Sequence, residues 1–339
     1  DCQSIGNGHV QHTAPFMGGG GGPAGWGGAI AVVPYEMYKI YGDKETFRRY
    51  LPKILRYFDY LDSRSSGGLV CREEEGGWCL GDWCPPEQIT ICEPFVNTAL
   101  YVKQMMMTKE ASEAIGESET AAMLEKRIEE KKQAILNAYY SPQTGSFIGD
   151  AQGANSFAID IGLGGERAFN NTKKKYDAAD AFDTGIFGTD ILTRVLFERG
   201  CADTAFHLLT STGKGSFYNM KKQGATTIWE NWDGERSHSH PMFGAVTRYL
   251  FSFILGITQE KNSAGYEKIV IAPQIPDGLN CASGHITTVR GEIAVSFVRT
   301  EREMDFYVTV PQKAWFTYGS GCEYELWKGE NHIHIDFEE

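Results

Sequence analysis

The sequence lacks several features that would place a protein in a common class. No apolar run approaches the ~20 residues that a membrane-spanning helix needs, and no C-x-x-C pair occurs. The P-loop, the Rossmann glycine fingerprint, the G-x-S-x-G elbow and H-E-x-x-H are also missing. These absences argue against a protein with a membrane-spanning helix, a thioredoxin-like redox protein and a nucleotide-binding protein of the P-loop or Rossmann type. They also argue against a hydrolase with a nucleophile elbow and a zinc metalloprotease.

Positive charge is scarce as well. The chain has 32 Lys and Arg against 44 Asp and Glu, which gives a net charge of -12. Since such a surface repels phosphate backbones and anionic lipids, neither nucleic acid nor membrane is an expected partner. The 8 cysteines do not have zinc-ligand spacing. We expect most of them to be buried free thiols, with no disulfide framework, no metal and no cofactor.

Helical periodicity dominates up to about residue 260. In one segment Leu51, Ile54, Leu55, Phe58 and Leu61 recur at i, i+3, i+4 spacing, which is typical of an amphipathic helix. Similar patterns predict nine helices, over about 27–41, 44–61, 93–108, 117–139, 151–163, 166–182, 188–199, 202–211 and 241–255. Successive pairs joined by loops of uneven length favour a toroid of paired helices over a four-helix bundle.

After Gly256 the pattern changes to short, β-branched segments separated by Gly, Pro and Asp turns. Strands are predicted over 268–273, 285–290, 292–298, 304–310 and 333–337. We therefore predict a mainly helical domain over residues 1–260 and an antiparallel β-sandwich over residues 261–339.

One acid placed between two indoles carries the strongest chemical signal. Glu230 follows Trp229 directly, and Trp232 lies two residues further on. Glycoside hydrolysis needs two carboxyl groups flanking the bond, and indole rings beside a carboxylate both hold a sugar and lower the local water content. The pattern alone is equally consistent with a buried tryptophan pair and a Glu230 at the surface.

Three other segments combine glycine with chemically active side chains. The run Gly18–Gly22 precedes Trp26, and a long loop over 67–92 carries Asp82 and Trp83. In a helical toroid such loops converge on one mouth, where a pocket forms. His238 and His240 stand two residues apart without an acid or cysteine at metal-ligand spacing, so His240 is expected either to cap the following helix or to donate to a substrate hydroxyl.

Taken in order, these motifs resemble the α-L-rhamnosidases of glycoside hydrolase family 78. The residues that carry the resemblance are Gly25–Ala29, Tyr41–Asp43, Gly81–Trp83, Gly188–Leu192, Gly224–Trp232, Ser239–Gly244 and Ile271–Pro273. The resemblance implies an (α/α)6 barrel followed by a β-sandwich, and removal of terminal L-rhamnose with inversion. It also implies Glu230 as the general base and Trp26, Asp82, Trp83 and His240 as sugar-binding residues. Because of their place beside the carboxylate, Trp229 and Trp232 are predicted to bind the sugar as well. A bacterial periplasm and a bacterial cytoplasm are both compatible with it.

Three departures from the family pattern stand out. The family's acid-rich motif with the general acid does not occur between Asp1 and Trp26, and nine helices are predicted where the barrel has twelve. Gly28 also stands where many relatives have an acid. We expect a chain that begins inside the barrel and lacks its first helices. A glucoamylase-like hydrolase, a polysaccharide lyase and a carbohydrate-binding remnant are the alternatives, and the oligomeric state is not indicated.

Overall fold

The structure, a computed structural model, describes residues 2–14, 21–74, 79–319 and 322–337. Two parts of the glycine-rich motifs predicted above, Gly18–Gly20 and Gly76–Trp78, lie outside the described residues.

Helices occupy most of the chain before residue 255 and follow one another in antiparallel pairs. The first hairpin shows how the sequence sets the turns: Gly42 ends its helix with a left-handed φ of 72°, and the Asp43 side chain accepts the Thr46 N–H at 2.9 Å to begin the next. The helices are α1 (Ala29–Tyr41), α2 (Lys44–Ser63), α3 (Glu93–Ile115), α4 (Ser118–Tyr139), α5 (Ala154–Asp160), α6 (Gly165–Asp177), α7 (Ile186–Glu198), α8 (Ala202–Leu209), α9 (Phe217–Lys222) and α10 (Thr247–Tyr249).

The predicted helices are present, with changes at two places. The segment Phe217–Lys222 (α9) is helical although no periodicity predicted it, because six residues are too few to show one. The predicted helix at 241–255 is irregular: a 3-10 turn at Pro241–Val246 precedes α10, and a π turn at Leu250–Ile254 follows it. A further 3-10 turn at Gly25–Gly28 leads into α1. The segment Ile148–Gly153 before α5 is irregular, with non-helical backbone angles at residues 149–152.

The second part of the chain forms two four-stranded sheets, in the orders β11-β10-β6-β5 and β12-β9-β8-β7. Phe306 in one sheet packs on Phe316 in the other, with ring centroids 4.9 Å apart, so the sheets enclose a shared apolar core. The strands are β5 (Ile257–Gln259), β6 (Ile269–Ile271), β7 (Cys281–Thr288), β8 (Gly291–Arg299), β9 (Glu303–Val310), β10 (Ala314–Tyr318), β11 (Cys322–Leu326) and β12 (Gly329–Asp336); the hairpins β1 (Ser65–Ser66) with β2 (Leu69–Val70) and β3 (Tyr140–Ser141) with β4 (Ser146–Phe147) lie among the helices.

The sandwich departs from the prediction in two respects. β6 and β10 pair in parallel, so the first sheet is mixed and not wholly antiparallel. β5, β10 and β11, which have three, five and five residues, were not predicted. β5 begins before the predicted domain boundary and pairs with β6; the division at residue 260 stays a prediction.

The helical and sheet parts are tied together through α1. The Lys39 ammonium donates to the backbone oxygens of Lys261 at 2.8 Å and Ser263 at 3.0 Å, and it pairs with Glu110 of α3 at 2.9 Å. One lysine therefore joins two helices to the loop that connects β5 and β6.

All eight cysteines are free, as predicted. Their placement was predicted less well: Cys79 is buried, whereas Cys2, Cys71 and Cys281 are exposed and the others intermediate. Among the described residues, no helix combines the length and apolarity needed to cross a membrane.

Candidate active site

Glu230 lies on a loop that folds back on itself between α9 and the 3-10 turn at residue 241. Two backbone hydrogen bonds close this loop: Glu230 N–H donates to Ser237 O, and His240 N–H donates to Ile228 O, both at 2.8 Å. Gly234 forms the bend with a φ of 77°. A Cβ there would lie 2.4 Å from the Trp229 ring, so both the backbone angle and the close approach of the indole require glycine.

Both oxygens of the Glu230 carboxylate are held by N–H donors. The Trp83 indole Nε1 donates to Oε1 at 3.1 Å, and the Ser237 backbone N–H donates to Oε2 at 3.3 Å. The His240 Nδ1 lies 3.9 Å from Oε2, outside hydrogen-bond distance. The side chain keeps 17% of its exposure. The carboxylate is thus fixed in orientation and still reachable by a small molecule.

Trp83 is placed by its own loop and by the start of α7. The Ile186 N–H donates to Trp83 O at 2.8 Å. Asp82 accepts the N–H groups of Gly185 at 2.7 Å and Gly188 at 2.9 Å. The Arg236 guanidinium lies 4.9 Å from the centroid of the Trp83 ring, a cation–π contact. The indole that holds Glu230 is therefore anchored from behind by α7 and covered by Arg236.

Asp82 itself is fully buried. Burial raises the pKa of its carboxyl to about 7, although the N–H groups of Gly188 and Gly185 act in the opposite direction. A carboxylate without solvent exposure has no open side for a sugar hydroxyl. The geometry of Asp82 is that of a residue that positions Trp83, and its direct sugar contact stays a prediction.

The two indoles of the Trp-Glu-x-Trp segment also point away from solvent. Trp232 is 2% exposed, donates its Nε1–H to Thr184 O at 3.1 Å, and packs on Phe243 with centroids 4.2 Å apart. Trp229 is 6% exposed and stacks on His238 at 4.4 Å. In this arrangement both indoles fix the loop on either side of Glu230, and their contacts with a sugar stay a prediction.

Trp26 lies in the 3-10 turn before α1 and packs against Phe187 of α7, with centroids 4.8 Å apart. Both rings border a cavity of about 1260 Å³ that also contains Glu36, Asp190 and Arg248 in its wall. Burial raises the pKa of Glu36. Glu230 is not among the lining residues of this cavity. Trp26 is connected to Glu230 only indirectly, through Phe187, the start of α7 and Trp83.

His240 occupies the position before the 3-10 turn at Pro241–Val246, but its side chain makes no capping hydrogen bond, so that predicted alternative is not supported. The structure thus brings Glu230, Trp83 and His240 together and places Asp82, Trp229 and Trp232 behind them. Trp26 is separated from this group by Phe187 and the start of α7. Sequence reasoning missed Ser237, Arg236 and Phe187. Of these, Arg236 gave a signal, since it lies in the same polar segment as His238.

Comparisons with known proteins identify the family of both parts of the chain. Residues 1–254 match the model of the bacterial alpha-L-rhamnosidase 6 hairpin glycosidase domain, and residues 256–316 match that of the bacterial alpha-L-rhamnosidase C-terminal domain. An α-L-rhamnosidase from Alteromonas sp. is 26% identical over 85% of this chain and 33% of its own length. One from Streptomyces avermitilis is 28% identical over 85% of this chain and 28% of its own length.

A solved structure shares the fold. The crystal structure of Streptomyces avermitilis α-L-rhamnosidase complexed with L-rhamnose superposes with a TM-score of 0.85, at 23% identity, over 98% of this chain and 35% of that one. The predicted fold class, a helical hairpin domain followed by a β-sandwich, is confirmed. The chain spans about a third of the length of the relatives it matches.

Proposed function

The chain belongs to the bacterial α-L-rhamnosidase six-hairpin glycosidase family, and from this premise we propose that it takes part in removing terminal α-L-rhamnose from glycosides or polysaccharides, with inversion. Glu230 acts as the general base. The observation that supports this role best is the pair of N–H donors, Trp83 Nε1 and Ser237 N, one on each carboxylate oxygen.

The two hydrogen bonds leave room for the chemistry. Each carboxylate oxygen has two lone pairs, so one on each remains for an attacking water after Trp83 and Ser237 have donated. Glu230 removes a proton from that water while the water oxygen attacks the anomeric carbon on the face opposite the leaving oxygen. The bond to the leaving oxygen breaks, and that oxygen takes a proton from a second carboxyl group, which we do not assign to a residue of this chain.

Two side chains beside Glu230 can contact a sugar. His240, 3.9 Å from the carboxylate, is placed to hydrogen-bond a sugar hydroxyl. Trp26 stays a proposed sugar-binding residue through its apolar ring, although Trp26 and Phe187 border a cavity whose lining does not include Glu230. Trp83 stays a proposed sugar-binding residue. Its indole N–H donates to Glu230, which places the edge of the ring beside the carboxylate.

A panel of aryl glycosides tests the substrate. Release of the aryl group from the α-L-rhamnoside, and not from the α-glucoside, is expected. Turnover of the glucoside would favour a glucoamylase-like hydrolase, and an ultraviolet-absorbing unsaturated product from a polysaccharide would indicate a lyase. Tight rhamnose binding without turnover would indicate a binding protein.

A matched pair of variants tests the base. Glu230→Gln keeps the size of the side chain but cannot take a proton, and loss of a general base costs roughly 10²–10⁴-fold in kcat. Glu235→Gln changes an exposed acid of the same loop and should leave kcat unchanged. Wild-type turnover by Glu230→Gln would refute the assignment.

A further inference from the structure

Acidic and imidazole side chains gather on the outward face of strands β9 and β12, far along the chain from Glu230. In the antiparallel register Asp336 lies opposite Glu303, and His334 lies opposite Asp305. Side chains two apart on a strand share a face, so all four project together. Each is exposed or half-buried, while the residues between them on β12, such as Ile333 and Ile335, face the core side.

The charges in this group are unbalanced. Glu303 and Asp336 are directly opposite each other, an arrangement that destabilises a sheet when both carry the same sign. Asp336 has His334 Nε2 at 3.1 Å. Within the part of the chain that the structure describes, Glu303 forms no ion pair. A cation between the two carboxylates would remove the repulsion.

The donor atoms are already close to metal-binding positions. One oxygen each from Glu303 and Asp336 and one nitrogen from His334 lie within 4.8 Å of one another. Donors at 2.0–2.2 Å from a tetrahedral zinc ion are about 3.4 Å apart, so the atoms need to approach by at most about 1.4 Å. Small rotations of exposed side chains supply that movement without any change in the strands.

His334 is also oriented as a metal ligand. Its Nδ1 lies 2.9 Å from Asp305 Oδ1 and its Nε2 lies 3.1 Å from Asp336 Oδ1, so a metal ion would take the place of the Nε2 proton between the ring and Asp336. A carboxylate behind one ring nitrogen is the usual partner of a metal-bound histidine, because it fixes the tautomer and the ring plane. Asp305 is itself held by His332 Nε2 at 2.7 Å, and the His332 ring stacks on Tyr307 at 4.8 Å.

We propose that Glu303, His334 and Asp336 bind one divalent transition-metal ion of the zinc class, with Asp305 orienting His334. An imidazole with carboxylates suits zinc or cobalt, whereas calcium and magnesium take oxygen ligands only. β12 lies at the edge of its sheet, so the ion ties an edge strand to its only neighbour in that sheet, β9.

A Co²⁺ titration of the whole chain, followed by visible absorption, tests the proposal. One equivalent should bind, with bands typical of nitrogen and oxygen ligands. His334→Ala should abolish these bands, and Glu303→Gln, which keeps the fold and the side-chain size, should weaken binding at least tenfold. His285→Ala, on β7 of the same sheet, is the matched control and should bind like the wild type. Added Zn²⁺ should displace Co²⁺ and slow amide hydrogen exchange in β12.

Three outcomes would overturn the proposal. The first is no saturable binding by the wild type; the second is equal binding by the wild type and His334→Ala. The third is an intense near-ultraviolet thiolate-to-cobalt band that is lost in Cys79→Ser, since Glu73, Cys79 and Glu93 form another group with donor atoms within 4.8 Å. None of these results depends on glycosidase activity.

Discussion

The buried carboxyl of Asp82 makes the stability of the protein depend on pH in a way that one substitution removes. Burial raises its pKa to about 7 in the native state, against about 3.9 in an unfolded chain. Between these values the native protein holds a proton that the unfolded chain has released. Stability therefore falls as the pH rises through this window, because each further unit favours the unfolded state.

The size of the effect follows from the two pKa values. One unit corresponds to about 1.36 kcal/mol. Raising the pH from 5 to 7 spans two units below the native pKa of about 7, so the free energy of unfolding should fall by roughly 2–3 kcal/mol through this group. Above pH 7 the contribution is constant, since both states are then ionised.

Asp82→Asn resembles the protonated acid and does not titrate. The difference in unfolding free energy, variant minus wild type, should rise by roughly 2–3 kcal/mol between pH 5 and pH 8. Urea denaturation of both proteins at several pH values measures it. Asp277→Asn, at a side chain that is 89% exposed, should show no such trend. A difference for Asp82→Asn that does not change with pH would refute the reasoning.

Three further substitutions have expected outcomes. Trp83→Phe removes the N–H donor to Glu230 and should lower kcat for an α-L-rhamnoside roughly ten- to hundredfold, as expected for a charge-assisted hydrogen bond. Trp327→Phe, at a side chain that is 66% exposed, should leave kcat unchanged. Equal activity of the two variants would contradict the role of Trp83. Gly234 has a φ of 77°, and a Cβ there would lie 2.4 Å from the Trp229 ring. Gly234→Ala should therefore lower the free energy of unfolding in urea by about 2 kcal/mol or more. Gly224→Ala, whose Cβ would meet open space, should lower it by about 1 kcal/mol. Phe306→Ala, fully buried between the two sheets, should lose about 3–5 kcal/mol in the same assay, and a near-neutral result would refute its place in the core.

The sequence predicted the helices and longer strands well, because their periodicity reports which face is buried. α2 shows this: its apolar residues at i, i+3, i+4 spacing are the ones that face the core. Elements of five or six residues, such as β10, β11 and α9, are shorter than the period over which such a pattern can be recognised.

The site was predicted in outline and not in its internal arrangement. The Trp-Glu-x-Trp segment identified the loop, but composition does not tell whether an indole faces a pocket or the core. Trp232 faces the core because Thr184 O accepts its N–H there. Ser237 was missed because it holds Glu230 through its backbone N–H, a group that every non-proline residue has and that therefore leaves no trace in sequence.

The role of Glu230 is tested most directly by giving the Glu230→Gln variant sodium azide together with an aryl α-L-rhamnoside. Azide attacks the anomeric carbon without losing a proton, so it needs no general base. Our account predicts that azide restores aryl release and that the product, identified by NMR, is the β-L-rhamnosyl azide of inverted configuration. A variant that azide does not rescue, or an azide product of retained α configuration, would contradict it.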